Sequence, residues 1–204
     1  MAHLASFFVP VFKDFIMNDF FLANNDVHIN QYNQEIRQFK VKEMESWALV
    51  AEPIRIALKR NYSDESIEAA IKANKFKAIS MCLLVTDVTG AQIDETIQND
   101  ADRFIELFKD VINVNKAFFD QEDIKTKKIK NDKTTWFDSF QLLISKGHKH
   151  KDILNYSFGA FLEYLKAAQR HERNYILSQS TTMRVAYYAD KKGYTSYTKE
   201  INKE

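Results

Sequence analysis

The chain contains almost none of the residues that form tight turns, with four glycines and two prolines in 204 residues. In an average protein these two residues together make up roughly 12% of the sequence. A protein of many short strands needs tight turns, and tight turns need residues that tolerate positive φ or fix φ. Long helices joined by a few polar loops do not need such residues. The sequence therefore predicts an all-α protein, a multi-helix bundle with a long central helix and a C-terminal helical subdomain.

The charged residues divide the chain into an acidic and a basic part. Residues 1–119 carry 13 Lys and Arg against 17 Asp and Glu, a net charge of −4. Residues 120–204 carry 16 against 11, a net charge of +5. Residues 120–135 are almost wholly polar and cannot bury an apolar face. We therefore expect an acidic helical part over 1–119, a linker or loop over 120–135 and a basic helical part over 136–204.

In the acidic part, apolar residues recur every three or four positions from Gln34 to Leu58 and again over residues 93–119, which predicts a helix in each stretch. Pro53 should kink the first of these helices or split it in two. Ser63, followed by two acids, marks another helix start. Residues 76–88 suit either a buried helix or a buried strand, and we favour the helix because an isolated strand would have nothing to pair with.

In the basic part, short polar residues and glycines mark the helix ends. Thr135 begins a short helix, which Gly147 closes as a left-handed cap. A second short helix follows, and Ser157 begins a long one that is expected to pause in the polar sequence SQSTT. The run from Asp190 to Gly193 places two lysines and a glycine in sequence, which predicts a helix stop.

The N-terminal stretch from Leu4 to Leu22 is the most apolar of the chain, but Lys13, Asp14 and Asp19 interrupt it, so it is too short to span a membrane. It fits one face of a helix that is covered by the body or by another subunit. Together with 16 phenylalanines, it indicates self-association or binding to a larger partner. The candidate interface residues are Phe7, Phe8, Phe12, Phe158, Phe161 and Tyr164.

No catalytic or cofactor motif is present: the sequence lacks the glycine-rich nucleotide loops, the zinc-protease helix motif and the hydrolase nucleophile motif. We therefore predict no catalytic residue, no cofactor and no enzymatic activity. The single Cys82 excludes an internal disulfide. His148 and His150, with His171, could ligate a metal, but the neighbouring lysines repel a cation, so a solvated loop is favoured and no metal site is predicted.

Residues 136–168 have the outline of a helix-turn-helix, which gives an alternative function as a DNA-binding regulator. A recognition helix should offer Arg, Lys, Asn or Gln to base edges at its start, whereas this one begins with aromatic residues and an acid. The same start suits packing or a protein interface. The residues that would contact phosphates are Lys146, Lys149, Lys151, Lys166 and Arg170.

The segments TTWFDSFQLLISKGHKHKDILNYSFGAFLEYLKAA and MRVAYYADKKGYTSYTKEI resemble the helical C-terminal parts of bacteriophage tail-assembly and related morphogenesis proteins. The resemblance covers about a third of the chain. It implies a non-enzymatic structural or assembly protein of a phage particle that binds other phage structural proteins or copies of itself. It also implies a location in the host cytoplasm during assembly or in the virion. Nucleic acid is the less favoured partner.

Overall fold

The computed structural model describes Phe21, residues 27–121 and residues 135–201. Two strands open the described part, β1 (Val27–Ile29) and β2 (Glu35–Arg37), and a 3-10 turn over Val41–Glu43 follows them. The helices are α1 (Met44–Leu58), α2 (Asp64–Ala73), α3 (Lys75–Val85), α4 (Gly90–Asn99), α5 (Ala101–Val114), α6 (Lys116–Phe119), α7 (Trp136–Ser145), α8 (His150–Asn155), α9 (Phe158–Tyr188) and α10 (Lys191–Ile201).

Of the residues that the structure describes, 77% are helical, which confirms the predicted all-α class. The two strands form a small antiparallel hairpin in which Val27 lies opposite Arg37. The turn between them contains Asn33 at φ 58°, a conformation that asparagine tolerates better than most residues. The prediction of a helix from Gln34 is wrong for its first residues, because β2 and an extended segment precede α1.

α1 continues through Pro53 without splitting into two helices. A proline inside a helix removes one backbone hydrogen bond, and here the carbonyl that loses its donor belongs to Leu49. The Leu49 side chain is 75% exposed, so this side of the helix faces water that can hydrate the carbonyl. The helix ends at Leu58, where Lys59 adopts a left-handed φ of 48°.

Two further predictions for the acidic part are confirmed. Ser63 caps α2, since its hydroxyl accepts a hydrogen bond from the Ser66 N–H. The ambiguous stretch 76–88 is mainly helical and belongs to α3. One face of α3 is buried in the core, and its buried residues are Ala78, Met81, Cys82 and Val85.

The single long helix predicted over residues 93–119 is wrong, because three helices occupy this stretch. Asp100 ends α4 and caps α5 by accepting a hydrogen bond from the Arg103 N–H at 3.2 Å. Asn115 separates α5 from α6. Ile93 and Phe104 are buried on either side of the first break, and Val114 and Phe118 are buried on either side of the second. The apolar stripe therefore continues although the helix does not.

Most helix ends of the basic part lie where they were predicted. Thr135 caps α7, Gly147 follows it at φ 96°, and Ser157 caps α9. α9 runs to Tyr188 without a pause in SQSTT. The helix stop predicted for Asp190–Gly193 lies within two residues of the observed end of α9 at Tyr188. The two lysines and Gly193 do not end α9 but form the first turn of α10, where Asp190 accepts a hydrogen bond from the Gly193 N–H at 2.7 Å.

The core joins the parts of the chain that were expected to form separate subdomains. The rings of Phe39 and Trp47 stack with their centroids 4.7 Å apart. The ring of Phe158 also stacks on Phe39, with a centroid distance of 5.1 Å. Phe118 contacts both Phe39 and Phe158 edge to face. Although residues 122–134 lie outside the described residues, the helices on either side of them share one core.

Candidate interaction surface

α9 has two parts with different surroundings. Its first part is packed in the core, where Phe158, Phe161 and Ala168 are buried. From Gln169 onward its residues are exposed, apart from the half-buried Val185. The helix has 31 residues and is therefore about 46 Å long, of which about 30 Å lies beyond Ala168.

α10 folds back along the exposed part of α9. The hydroxyls of Thr182 and Tyr197 are 2.8 Å apart. Thr182 lies seven residues before Ala189, and Tyr197 lies seven residues after Asp190, so the two helices form a hairpin about this break. We call residues 169–201 the C-terminal arm.

The arm exposes large apolar side chains that do not pack in the core. Tyr187 and Tyr188 are more than four-fifths exposed, and the others are at least half exposed. Large apolar side chains that cluster on a surface usually mark a contact with another molecule. The exposed large apolar residues of the arm are Tyr175, Ile176, Leu177, Met183, Tyr187, Tyr188, Tyr194 and Ile201.

Three of these side chains form one stripe along α9. Ile176, Met183 and Tyr187 are separated by seven and four residues, which places them within about 40° of one another around the helix axis. Thr182 and Val185, on the side that α10 covers, lie at least about 100° away from each of them. α10 therefore leaves this stripe, which we call the arm stripe, uncovered.

The predicted interface residues divide into three groups. Phe7, Phe8 and Phe12 lie outside the described residues. Phe158 and Phe161 are 3% and 1% exposed, so they pack in the core and the prediction of an interface there is corrected. Tyr164 is 36% exposed and packs against the rings of His148 and Tyr156.

Two of the five residues predicted to contact phosphate are already held in ion pairs. Lys146 lies 2.7 Å from Glu172, and its hydrogen bond and charge lower the pKa of that carboxyl. Lys166 lies 2.6 Å from Glu163. Lys149, Lys151 and Arg170 are exposed. The start of α9, which a helix-turn-helix protein would insert into DNA, is buried from Phe158 to Phe161 and cannot reach base edges.

The histidines do not come together. His148 Nδ1 is 2.9 Å from the Tyr156 hydroxyl, and burial raises the pKa of that tyrosine. The ring of His150 packs edge to face on Phe140. Within residues 27–121 and 135–201, no three His, Cys, Asp or Glu side chains are grouped closely enough to hold a metal ion.

The acidic part has a second surface feature, between α4, the start of α5 and the β1–β2 turn. A cavity of about 400 Å³ has Asp87, Glu95 and Asp100 in its wall. The guanidinium of Arg103 also lines it and lies 4.5 Å from the centre of the Tyr32 ring. The Tyr32 hydroxyl donates a hydrogen bond to Glu106, which raises the pKa of the tyrosine.

Sequence reasoning missed the arm stripe. The apolar pattern places the stripe residues in the long helix that begins at Ser157, but it does not distinguish a face buried in the core from an exposed one.

Among the described helices, none combines the length and the apolar character needed to cross a membrane. Comparison of the chain with protein-family models, with curated proteins and with solved structures finds no match.

Proposed function

We propose that this chain is a non-enzymatic assembly protein that works through protein–protein contacts of its C-terminal arm. The observation that carries the proposal is the uncovered stripe of Ile176, Met183 and Tyr187, which are 55%, 61% and 83% exposed. A helix that packs on nothing is marginal in water, because most helical stability in proteins comes from burying an apolar face. A partner that covers the stripe would supply that burial.

The shape of the arm also supports a role in assembly. The arm extends about 30 Å beyond the core as a hairpin of two helices. Recognition of one helix by another commonly uses apolar residues at intervals of three, four and seven positions, which is the spacing of the arm stripe. A projecting helical hairpin of this kind can reach a neighbouring subunit without any change in the core.

The proposal places the protein among the assembly proteins of a phage particle. Its support is the resemblance of residues 134–168 and 183–201 to phage tail-assembly proteins, and the second of these segments lies entirely within the arm. On this proposal the partners are other structural proteins of the particle or copies of the chain itself. The protein acts in the host cytoplasm during assembly and can remain in the virion.

Site-specific photo-cross-linking tests this function. A photoreactive phenylalanine analogue at Met183 should form covalent adducts with a defined partner in producing cells, and mass spectrometry identifies that partner. The matched control carries the analogue at Thr181, which is also exposed but lies about 160° from Met183 around α9. Equal adduct yields at the two positions would contradict the proposal.

A pair of charged variants gives a second readout. Met183→Asp should abolish the association that the cross-linking identifies, because a carboxylate would have to be buried in the contact. Thr181→Asp adds the same charge two residues away on the same helix and should leave the association intact. Circular dichroism should show the same helix content for both variants, since both side chains are exposed.

A further inference from the structure

We propose that the partner of the C-terminal arm is the acidic side of a second copy of this chain, so that copies join head to tail. This inference rests on the proposed function, because it names the molecule that the arm binds. The acidic side consists of α4, α5 and the cavity that lies between α4, the start of α5 and the β1–β2 turn. It is defined by residues 87–110 together with β1.

The charges of the two surfaces are opposite and large for their size. Residues 87–110 contain seven Asp and Glu against two Lys and Arg, a net charge of −5. The arm, residues 169–201, contains six Lys and Arg against three Asp and Glu, a net charge of +3. Opposite potentials on two surfaces steer their encounter and fix their relative orientation.

The same charges disfavour pairing between two arms. Each arm carries a net charge of +3, so an arm-to-arm dimer brings like charges together, whereas the acidic side attracts the arm. Contact between two different surfaces of the same chain is heterologous, and it generates rings or open filaments rather than a closed dimer.

α10 presents its cations as one face. Lys192 and Lys199 are separated by seven residues and lie about 20° apart around the helix axis, and Lys191 lies about 80° from Lys199. All three side chains are exposed, and Thr195 and Ser196 lie between them. α10 is about 16 Å long and α5 is about 21 Å long, so the lysine face matches the acidic side in length.

The acidic side has carboxylates that Arg103, which lines the same cavity, does not neutralise. In the described part of the chain, Arg103 lies over the Tyr32 ring and makes no ion pair with Asp87, Glu95 or Asp100 in the same cavity. Asp94 and Asp102, on α4 and α5, are also exposed.

Exposed apolar side chains also lie on β1, at the edge of the acidic side. The side chain of Gln31, two residues after β1, donates a hydrogen bond to Glu106 of α5 at 2.6 Å, so the strand end is held next to the acidic side. Val27 and Ile29 of this strand are 46% and 58% exposed. The acidic side therefore presents apolar side chains as well as negative charge to a second copy.

Sedimentation velocity of the full chain tests the salt dependence. We expect association at 50 mM NaCl that weakens at least about tenfold at 500 mM, because salt screens exposed charges. A monomer at both salt concentrations and at high protein concentration would overturn the inference. Association of equal strength at both would overturn the electrostatic contact.

Charge reversal on each surface tests the pairing. The arm variant carries Lys191→Glu, Lys192→Glu and Lys199→Glu, and the side variant carries Asp94→Lys, Glu95→Lys and Asp102→Lys. Each variant alone should be monomeric, because each lacks one of the two surfaces. All six side chains are exposed, and circular dichroism verifies that both variants keep the helix content of the unmodified protein.

Mixing the two variants gives the decisive result. The side variant keeps an intact arm and the arm variant keeps an intact acidic side, so the mixture should associate although neither variant associates alone. The reversed arm and the reversed side also carry opposite charges, so growth beyond a dimer is compatible with the contact. A mixture that stays monomeric while the unmodified chain associates would overturn the head-to-tail contact. If the unmodified chain is monomeric but the analogue at Met183 cross-links to a different protein, the inference fails and the proposed function stands.

Discussion

The ring of Phe39 stacks on the ring of Phe158, with centroids 5.1 Å apart and planes inclined by 20°. The backbone supports the same contact, because the Phe158 N–H donates a hydrogen bond to the Phe39 carbonyl at 3.0 Å. Phe158 is the first residue of α9, so this contact ties the helix that carries the arm to the acidic part of the chain. The direction in which the arm projects depends on it.

Replacing Phe158 with alanine should lower the free energy of unfolding by about 3–5 kcal/mol, because a buried aromatic ring is lost and a cavity is left. Urea unfolding followed by circular dichroism measures this. Phe137→Ala is the control: its ring is 73% exposed, so the change should be within about 0.5 kcal/mol. Equal effects of the two substitutions would contradict the shared core.

The side chain of Asn115 joins two distant segments. Its oxygen accepts a hydrogen bond from the Phe39 N–H at 2.9 Å, and its amide group donates to the carbonyls of Arg37 and Val111. Asn115→Ala should lower the free energy of unfolding by about 2–4 kcal/mol, since it leaves buried backbone groups without partners. The exposed Asn113 gives the matched control, and Asn113→Ala should have little effect on the urea midpoint.

Glu43 should make the fold sensitive to acid. Burial opposes its charged form, but hydrogen bonds from the Arg37 side chain and the Lys40 N–H outweigh burial and hold the pKa of Glu43 below its ordinary value. A carboxyl whose pKa is lowered in the folded state stabilises the fold above its unfolded pKa, near 4.5. This contribution is lost as the pH falls through the lower, folded pKa.

Glu43→Gln should therefore be less stable at pH 7 and lose less further stability between about pH 5 and about pH 3. Thermal unfolding followed over this range measures both effects. Glu45→Gln, two residues away and exposed, should keep the pH profile of the unmodified chain. Parallel profiles for the unmodified chain and Glu43→Gln would show that the interaction contributes nothing.

The sequence was most informative where a short polar residue marks a helix start. Thr135, Ser157 and Ser63 could be assigned because their side chains accept hydrogen bonds from the backbone a few residues ahead. Asp100 is a cap of the same kind, but the apolar pattern continues across it and across Asn115 and therefore predicts one helix rather than three. The main partner of Asn115 is Phe39, 76 residues earlier, and no local pattern reveals such a bond.

The arm could not be identified from the sequence because exposure depends on what else packs against a helix. The apolar residues at the start of α9 and those of the arm stripe have similar spacing, yet Phe161 is 1% exposed and Met183 is 61% exposed. The difference arises because α7 and the aromatic group around Phe39 cover only the first part of α9.

The chain should not bind DNA in a sequence-specific way. The first turn of α9 is buried, and Lys146 and Lys166 are engaged with Glu172 and Glu163, so only weak contacts of exposed cations with phosphate are left in residues 136–170. Mobility-shift titrations with two unrelated duplexes should show equal and weak binding at 50 mM salt. This binding should disappear at 200 mM, because phosphate contacts release counterions and are strongly salt-dependent.

Tight binding to one duplex that persists at 200 mM salt would establish the regulator function instead. Lys149→Glu should then weaken that binding, whereas the exposed Lys72→Glu on α2 should not.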